Sequence, residues 1–155
     1  MELDTIIESI NKKQQTLKPE AIRLEGLHLT KTEKSFIQKY KPEKVFIVYG
    51  TLAPGRPNYS VIEHIKGQWQ QGIIRGKLVR EGWGAELGYN AFKHVSTDEQ
   101  EEINVFVLTS DQLVANWQFL DEFEGSGYGR ILAKFELENG EEGIGYIYAV
   151  NAASF

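Results

Sequence analysis

The stretch Val45-Phe46-Ile47-Val48-Tyr49-Gly50-Thr51-Leu52-Ala53-Pro54-Gly55 constrains the fold more than any other part of the chain. An unbroken apolar and aromatic run rich in β-branched residues reads as a strand buried on both faces, because a strand with one wet face alternates. Gly50 marks its end, where the backbone takes unusual dihedrals or another group comes close to bare main chain. N–H groups just past a buried strand have no ladder partner and are free to hold an anion. The following loop is therefore a candidate binding loop. Glycines at 50 and 55 invite comparison with a nucleotide phosphate loop, which requires Lys and then Ser or Thr after the second glycine. Arg56-Pro57 stand there instead. Proline offers neither N–H nor hydroxyl, so the nucleotide reading fails on chemistry.

The rest of the composition narrows the class. A chain of 155 residues is one domain's worth, able to bury about two-thirds of its unfolded surface. A net charge of −5 and a pI of 5.3 argue against a nucleic-acid or anionic-membrane partner. No apolar run approaches the ~20 residues of a membrane span. Met1-Glu2-Leu3-Asp4 lacks the basic start and apolar core of a signal peptide, so a cytoplasmic location is expected. The absence of cysteine excludes disulfides, thiolate nucleophiles and Cys-ligated zinc. His28, His64 and His94 show no His-x-x-x-His spacing, so no histidine-rich metal site is expected.

In chain order, Leu3, Ile6, Ile7 and Ile10 have helical spacing, ended by Pro19. Thr30-Lys31-Thr32-Glu33 has the form of a capping box; Phe36, Ile37 and Tyr40 give the next helix an apolar face, and Pro42 stops it. Residues 1–43 thus read as an N-terminal helical extension, packed on the main body or forming a homodimer contact, and residues 44–155 as the main domain. Tyr59 to Ile65 suits a short helix. Trp69 to Arg80 is strand-like, with Gly72 and Gly76 suggesting bulges or barrel corners. Glu81 to Asn90 is a glycine-rich loop carrying Trp83 and Tyr89, which either wall a pocket or cover a barrel end. Ala91–Val95 and Ile103–Leu108 are further strands. Thr109-x-x-Gln112 is a second capping-box form opening a helix from Asp111 to Glu124, stopped by Gly125. Ile131–Leu137 and Gly143–Val150 form a hairpin with a two-residue turn at Asn139-Gly140. This order is unlike βαβ repetition; it predicts an α+β fold, a small, mixed, mostly antiparallel β-barrel with flanking helices.

One carboxylate falls on an apolar stripe. At about 100° per residue, Leu113, Trp117 and Leu120 cluster within about 60°, and Glu124 joins them, whereas Asp121 and Glu122 are expected to point to solvent. A carboxylate on that stripe must find partners or raise its pKa, and a raised carboxylate suits general base and acid work near neutrality. The plainer alternatives are that Glu124 is a solvated helix end, or that it pairs structurally with Arg130.

Two stretches together carry a resemblance. Val48-Tyr49-Gly50-Thr51-Leu52-x-x-Gly55-x-Pro57-Asn58, followed by Leu120-Asp121-Glu122-Phe123-Glu124-Gly125-x-x-Tyr128-x-Arg130, resembles the γ-glutamylcyclotransferase-like family, nearest its γ-glutamylamine cyclotransferase branch, over residues 44–150. The resemblance implies that Tyr49, Gly50, Thr51 and Leu52 bind the α-carboxylate end of a γ-glutamyl group, largely through backbone N–H groups. It implies that Glu124 is the catalytic base and that Tyr128 lies near the pocket. Asn58 belongs to the same loop motif, and Trp83 stands where the nearest branch has a Tyr-Pro pair, beside the leaving amine. The implied partner is a small γ-glutamyl molecule, and the implied reaction is attack of the substrate's α-amino group on its own γ-carbonyl, releasing 5-oxoproline and an amine. That chemistry asks for no cofactor, because the nucleophile is already tethered. Two other classes fit the same residues: a non-catalytic binding module for γ-glutamyl or other small carboxylate ligands, and a structural protein in which Glu124 only caps or pairs.

Overall fold

The computed structural model describes residues 3–15, 29–49, 52, 54–56, 59–79, 91–93, 100–124 and 128–150. Among them are helices α1 (Leu3–Gln15), α2 (Lys31–Tyr40) and α3 (Trp117–Glu124). The strands are β1 (Val45–Val48), β2 (Gln68–Val79), β3 (Ala91–Lys93), β4 (Glu101–Thr109), β5 (Tyr128–Leu137) and β6 (Glu142–Val150). Strand β1 pairs antiparallel with β4, β4 with β2, β2 with β5 and β5 with β6, while β6 returns parallel to β1. These five strands close into a ring, and the short β3 bridges β2 and β6. The fold is therefore the mixed, mostly antiparallel barrel with helices that the sequence predicts. No helix among the described residues is long and apolar enough to cross a membrane.

Strand β1 explains itself once the barrel closes. Val45 and Ile47 point inward, among Ile74, Val105, Val107, Phe135 and Ile147. Phe46 and Val48 point outward, into a second cluster with Leu132, Tyr146 and Tyr148 of the barrel wall and Trp117 and Leu120 of α3. All four residues are buried, which is why the run does not alternate. Ile6, Ile7 and Ile10 of α1 and Phe36 of α2 enter the same outer cluster. The two N-terminal helices thus lie against the barrel.

Polar groups fix that docking. Asn11 of α1 donates to the Leu132 carbonyl at 3.0 Å and accepts from the Leu132 N–H at 2.8 Å, replacing a strand neighbour along β5. The expected capping box at Thr30 and Glu33 is formed. Glu33 also accepts from Ser9 and Lys13, so one buried carboxylate joins α1 to α2.

Four local expectations need correction. The segment from Asp111 is not one helix: a 3-10 turn runs Asp111–Ala115, and α3 begins at Trp117 after a break at Asn116. Its cap is Ser110, which accepts from the Gln112 N–H, while the Gln112 side chain accepts from the Lys66 N–H instead of closing a box. For Gly72 the structure selects the corner from the two expected alternatives, since β2 runs against β4 without a bulge from Gln68↔Thr109 to Gly76↔Glu101. Gly72 serves as a corner: a Cβ there would sit 2.5 Å from the Glu136 carbonyl oxygen, so glycine lets β5 close the ring. The hairpin turn has three residues, with Leu137 N–H donating to Glu141 O and Gly140 at φ 90°. That is the longer turn with a left-handed third residue, in place of a two-residue turn that would require positive φ at Asn139 as well. Tyr59–Val61 forms only a 3-10 turn.

Candidate active site

The site builds from α3 and the barrel wall beneath it. Trp117 and Leu120 of α3 are buried against β1 and β6, with Trp117 edge-on to Phe46 and Tyr146 at ring distances of 5.4 and 5.2 Å. The Trp117 indole N–H donates to the Glu43 carbonyl at 2.7 Å, satisfying its buried polar end. Glu124 lies one turn beyond Leu120 and is half-buried. Burial first, and the neighbouring Asp121 charge second, push its carboxyl from the ordinary 4.5 up to about 7. This is the acid that helical periodicity places on the apolar side.

Asp121 corrects the sequence reading. Instead of facing solvent, its side chain is 18% exposed and turned to the barrel. Arg130 of β5 donates to it twice, Nε to Oδ1 at 2.9 Å and Nη2 to Oδ2 at 3.2 Å. The Tyr148 hydroxyl of β6 donates to Oδ1 at 2.6 Å. The Arg130 guanidinium is held over the rings of Trp117 and Tyr146, at 4.7 and 4.5 Å. Burial works against the Arg130 charge, but the bonds and charge of Asp121 outweigh it and hold its pKa above the ordinary value. Burial, then Asp121, push the Tyr148 hydroxyl well above its ordinary range. Glu122, by contrast, is exposed as expected.

The end of β1 is tied into the same network. The Tyr49 hydroxyl donates to the Tyr148 backbone carbonyl at 2.7 Å, and the Tyr49 ring packs against the barrel interior. Leu52 is buried in the outer cluster that also holds Leu120 and Tyr148. Of the sequence-derived candidates, Tyr49 is bonded to Tyr148, whose hydroxyl reaches Asp121, and Leu52 shares a hydrophobic cluster with Leu120 of the helix that carries Glu124. The Tyr49 and Leu52 side chains contribute packing and a strand clasp. Tyr128 opens β5, and only its backbone is described. Gly50, Thr51, Asn58, Trp83 and the rest of the Glu81 to Asn90 loop lie outside the described residues.

The residues that sequence reasoning missed are Asp121 and Tyr148. A signal existed for the first: Asp121 and Glu124 are three positions apart, which makes them neighbours on a helix surface. Tyr148 shares the outward-facing parity of Ile144 and Tyr146, but its partner is 27 positions away in sequence and no local pattern names it.

Comparison with known proteins places this architecture. The family profile described as gamma-glutamyl cyclotransferase, AIG2-like, matches residues 46–154. Among curated proteins none matches the chain. The chain is similar to YkqA from Bacillus subtilis, with 27% identity over 70% of this chain and a TM-score of 0.52; the match spans 36% of YkqA, about a third of its length. A solution structure of an Arabidopsis thaliana protein is 23% identical over 70% of this chain and 68% of its own, with a TM-score of 0.51. A structure described as a gamma-glutamyl cyclotransferase is 17% identical over 68% of this chain and 65% of its own, with a TM-score of 0.50. These last two likenesses are of fold. The profile match covers most of the chain and contains both the loop after β1 and the α3 acids, and the chain belongs to the γ-glutamyl cyclotransferase, AIG2-like family.

Proposed function

We propose that the protein is a cyclotransferase that cleaves a γ-glutamyl amide or γ-glutamyl dipeptide, with Glu124 as general base and then general acid. The observation that carries this reading is Glu124 itself, a half-buried carboxyl whose pKa of about 7 lets it exchange a proton near neutral pH. In the proposed step the substrate's α-amino nitrogen bonds to its own γ-carbonyl carbon and the bond from that carbon to the leaving nitrogen breaks. Glu124 takes the proton from the attacking nitrogen and delivers it to the departing one, so the products are 5-oxoproline and a free amine. Because attacking and attacked atoms belong to one molecule, orientation and proton transfer are the main tasks left to the protein.

In the same reading, backbone N–H groups of Gly50 to Leu52 hold the α-carboxylate and steady charge developing on the carbonyl oxygen. Asn58, Trp83 and Tyr128 border the substrate, with Trp83 toward the leaving amine. The family's name supports the reaction class, and the two sequence motifs favour its γ-glutamylamine branch. The test is to incubate the protein with γ-glutamyl amines and γ-glutamyl dipeptides and to quantify both products. Equimolar 5-oxoproline and free amine support the reading. Free glutamate in place of 5-oxoproline would mean hydrolysis, and no product from any member would refute the assignment to these substrates.

A further inference from the structure

Asp121 and Glu124 are one turn apart on α3, a spacing that sets Cβ atoms about 5–6 Å from each other. The Asp121 oxygens are already engaged: Oδ1 accepts from Arg130 Nε and from the Tyr148 hydroxyl, and Oδ2 accepts from Arg130 Nη2. The groups that hold it are themselves fixed. Arg130 is 4% exposed at its side chain and stacked over Trp117 and Tyr146. Tyr148 is buried, and its backbone is clasped by Tyr49. A carboxylate held this way is not positioned to meet substrate. It is positioned to act on its neighbour.

We infer that Asp121 is a positioning residue for the reaction: Arg130 and Tyr148 pin its carboxylate one helical turn before Glu124, and that fixed negative charge governs when Glu124 takes and releases the proton. The inference rests on the reading of Glu124 as the base. Among the described residues, the charged and titratable groups that meet around Asp121 and Glu124 include Arg130 from β5, Tyr146 and Tyr148 from β6, and Tyr49 at the end of β1, whose hydroxyl bonds the Tyr148 carbonyl. Asp121 supplies the charge effect resolved on Glu124, adding to burial. A negative charge at helical-neighbour distance in a partly buried site is worth on the order of one pH unit in a carboxyl's titration.

The experiment compares wild type with Asp121→Asn, reading two quantities on the full chain. The first is the titration of the Glu124 carboxyl, followed by carbon NMR with labelled glutamate and assigned through Glu124→Gln. The second is the pH profile of kcat/KM for 5-oxoproline release. Asp121→Asn is expected to lower the Glu124 midpoint by about one pH unit and to move the acid limb of the profile by the same amount. Asp121→Glu, which keeps the charge, is expected to restore most of both. If Asp121→Asn does not fold because it strands the buried Arg130, the comparison moves to an Arg130→Gln background: Asp121→Asn/Arg130→Gln differs from Arg130→Gln by the Asp121 charge alone, and its Glu124 midpoint must lie below that of Arg130→Gln. A Glu124 midpoint unmoved in a folded variant overturns the inference. The two readings fail separately: turnover that survives Glu124→Gln overturns the base assignment, whereas Glu124-dependent turnover with an unmoved profile in Asp121→Asn overturns only the role of Asp121.

Discussion

Glu124→Gln is expected to stabilise the folded protein, increasingly so as pH rises. Folding carries this carboxyl from an ordinary 4.5 to about 7, because burial and then Asp121 disfavour its charge. A raised carboxyl pKa means that the folded state binds a proton the unfolded chain has released. Its stabilising contribution is complete below pH 4.5 and is lost as pH climbs through 7. The interval from 4.5 to about 7, at about 1.4 kcal/mol per pH unit, amounts to about 3 kcal/mol. Glutamine keeps the shape and has no proton to lose, so the variant escapes this loss. Urea unfolding of both proteins at half-unit steps from pH 4.5 to 8.5 reads the effect directly. The stability difference, variant minus wild type, is expected to grow by about 3 kcal/mol across that range and to level off above pH 8. Curves that stay parallel across the range would refute the argument that Glu124 is held in a site hostile to its charge.

Other consequences follow from the docking of the N-terminal helices. Glu33 behaves in the opposite sense: burial alone would raise its carboxyl, but hydrogen bonds from Lys13, Ser9 and the Thr30 N–H outweigh it and hold it at about 2. Its contribution is present above pH 4.5 and lost as pH falls toward 2. Because the Lys13 side chain is 32% exposed, screening trims the effect, and Glu33→Gln should cost about 2 kcal/mol at pH 7 and almost nothing near pH 2, read by urea unfolding. Asn11→Ala leaves the Leu132 N–H and carbonyl without their side-chain partner in a buried setting, an expected loss of about 2–4 kcal/mol measurable by thermal or urea unfolding.

Much of this architecture was legible in the sequence because it depends on local pattern. The unbroken run at Val45 to Val48 names a strand with two dry faces, and the barrel provides one core for each face. The Thr30 to Glu33 box names a helix start that forms as written. Glu124 is legible because Trp117, Leu120 and Glu124 share a face within one uninterrupted helix. What escaped the sequence depended on a break in phase or on long-range partners. The 3-10 turn before Asn116 breaks the single helix expected from Asp111. Asp121 sits about 40° from Trp117 on the wheel, at the border of the apolar stripe, where helical phase alone does not decide which way it turns. The bonds that turn Asp121 inward come from Arg130 and Tyr148, on strands that only the closed barrel brings beneath α3. The absence of a bulge at Gly72 has the same origin, since its close neighbour belongs to β5 and not to β4. The backbone N–H cradle expected at Gly50 and Thr51 rests on motif and chemistry alone.

The most direct test of the central claim is 5-oxoproline release by wild type and Glu124→Gln, side by side, from the same γ-glutamyl substrate at pH 7.5. Circular dichroism and unfolding curves establish that both are folded. The account requires measurable release by wild type and a loss of at least about a hundredfold in the variant, the usual contribution of a positioned general base. Release at an undiminished rate by a well-folded Glu124→Gln would contradict it.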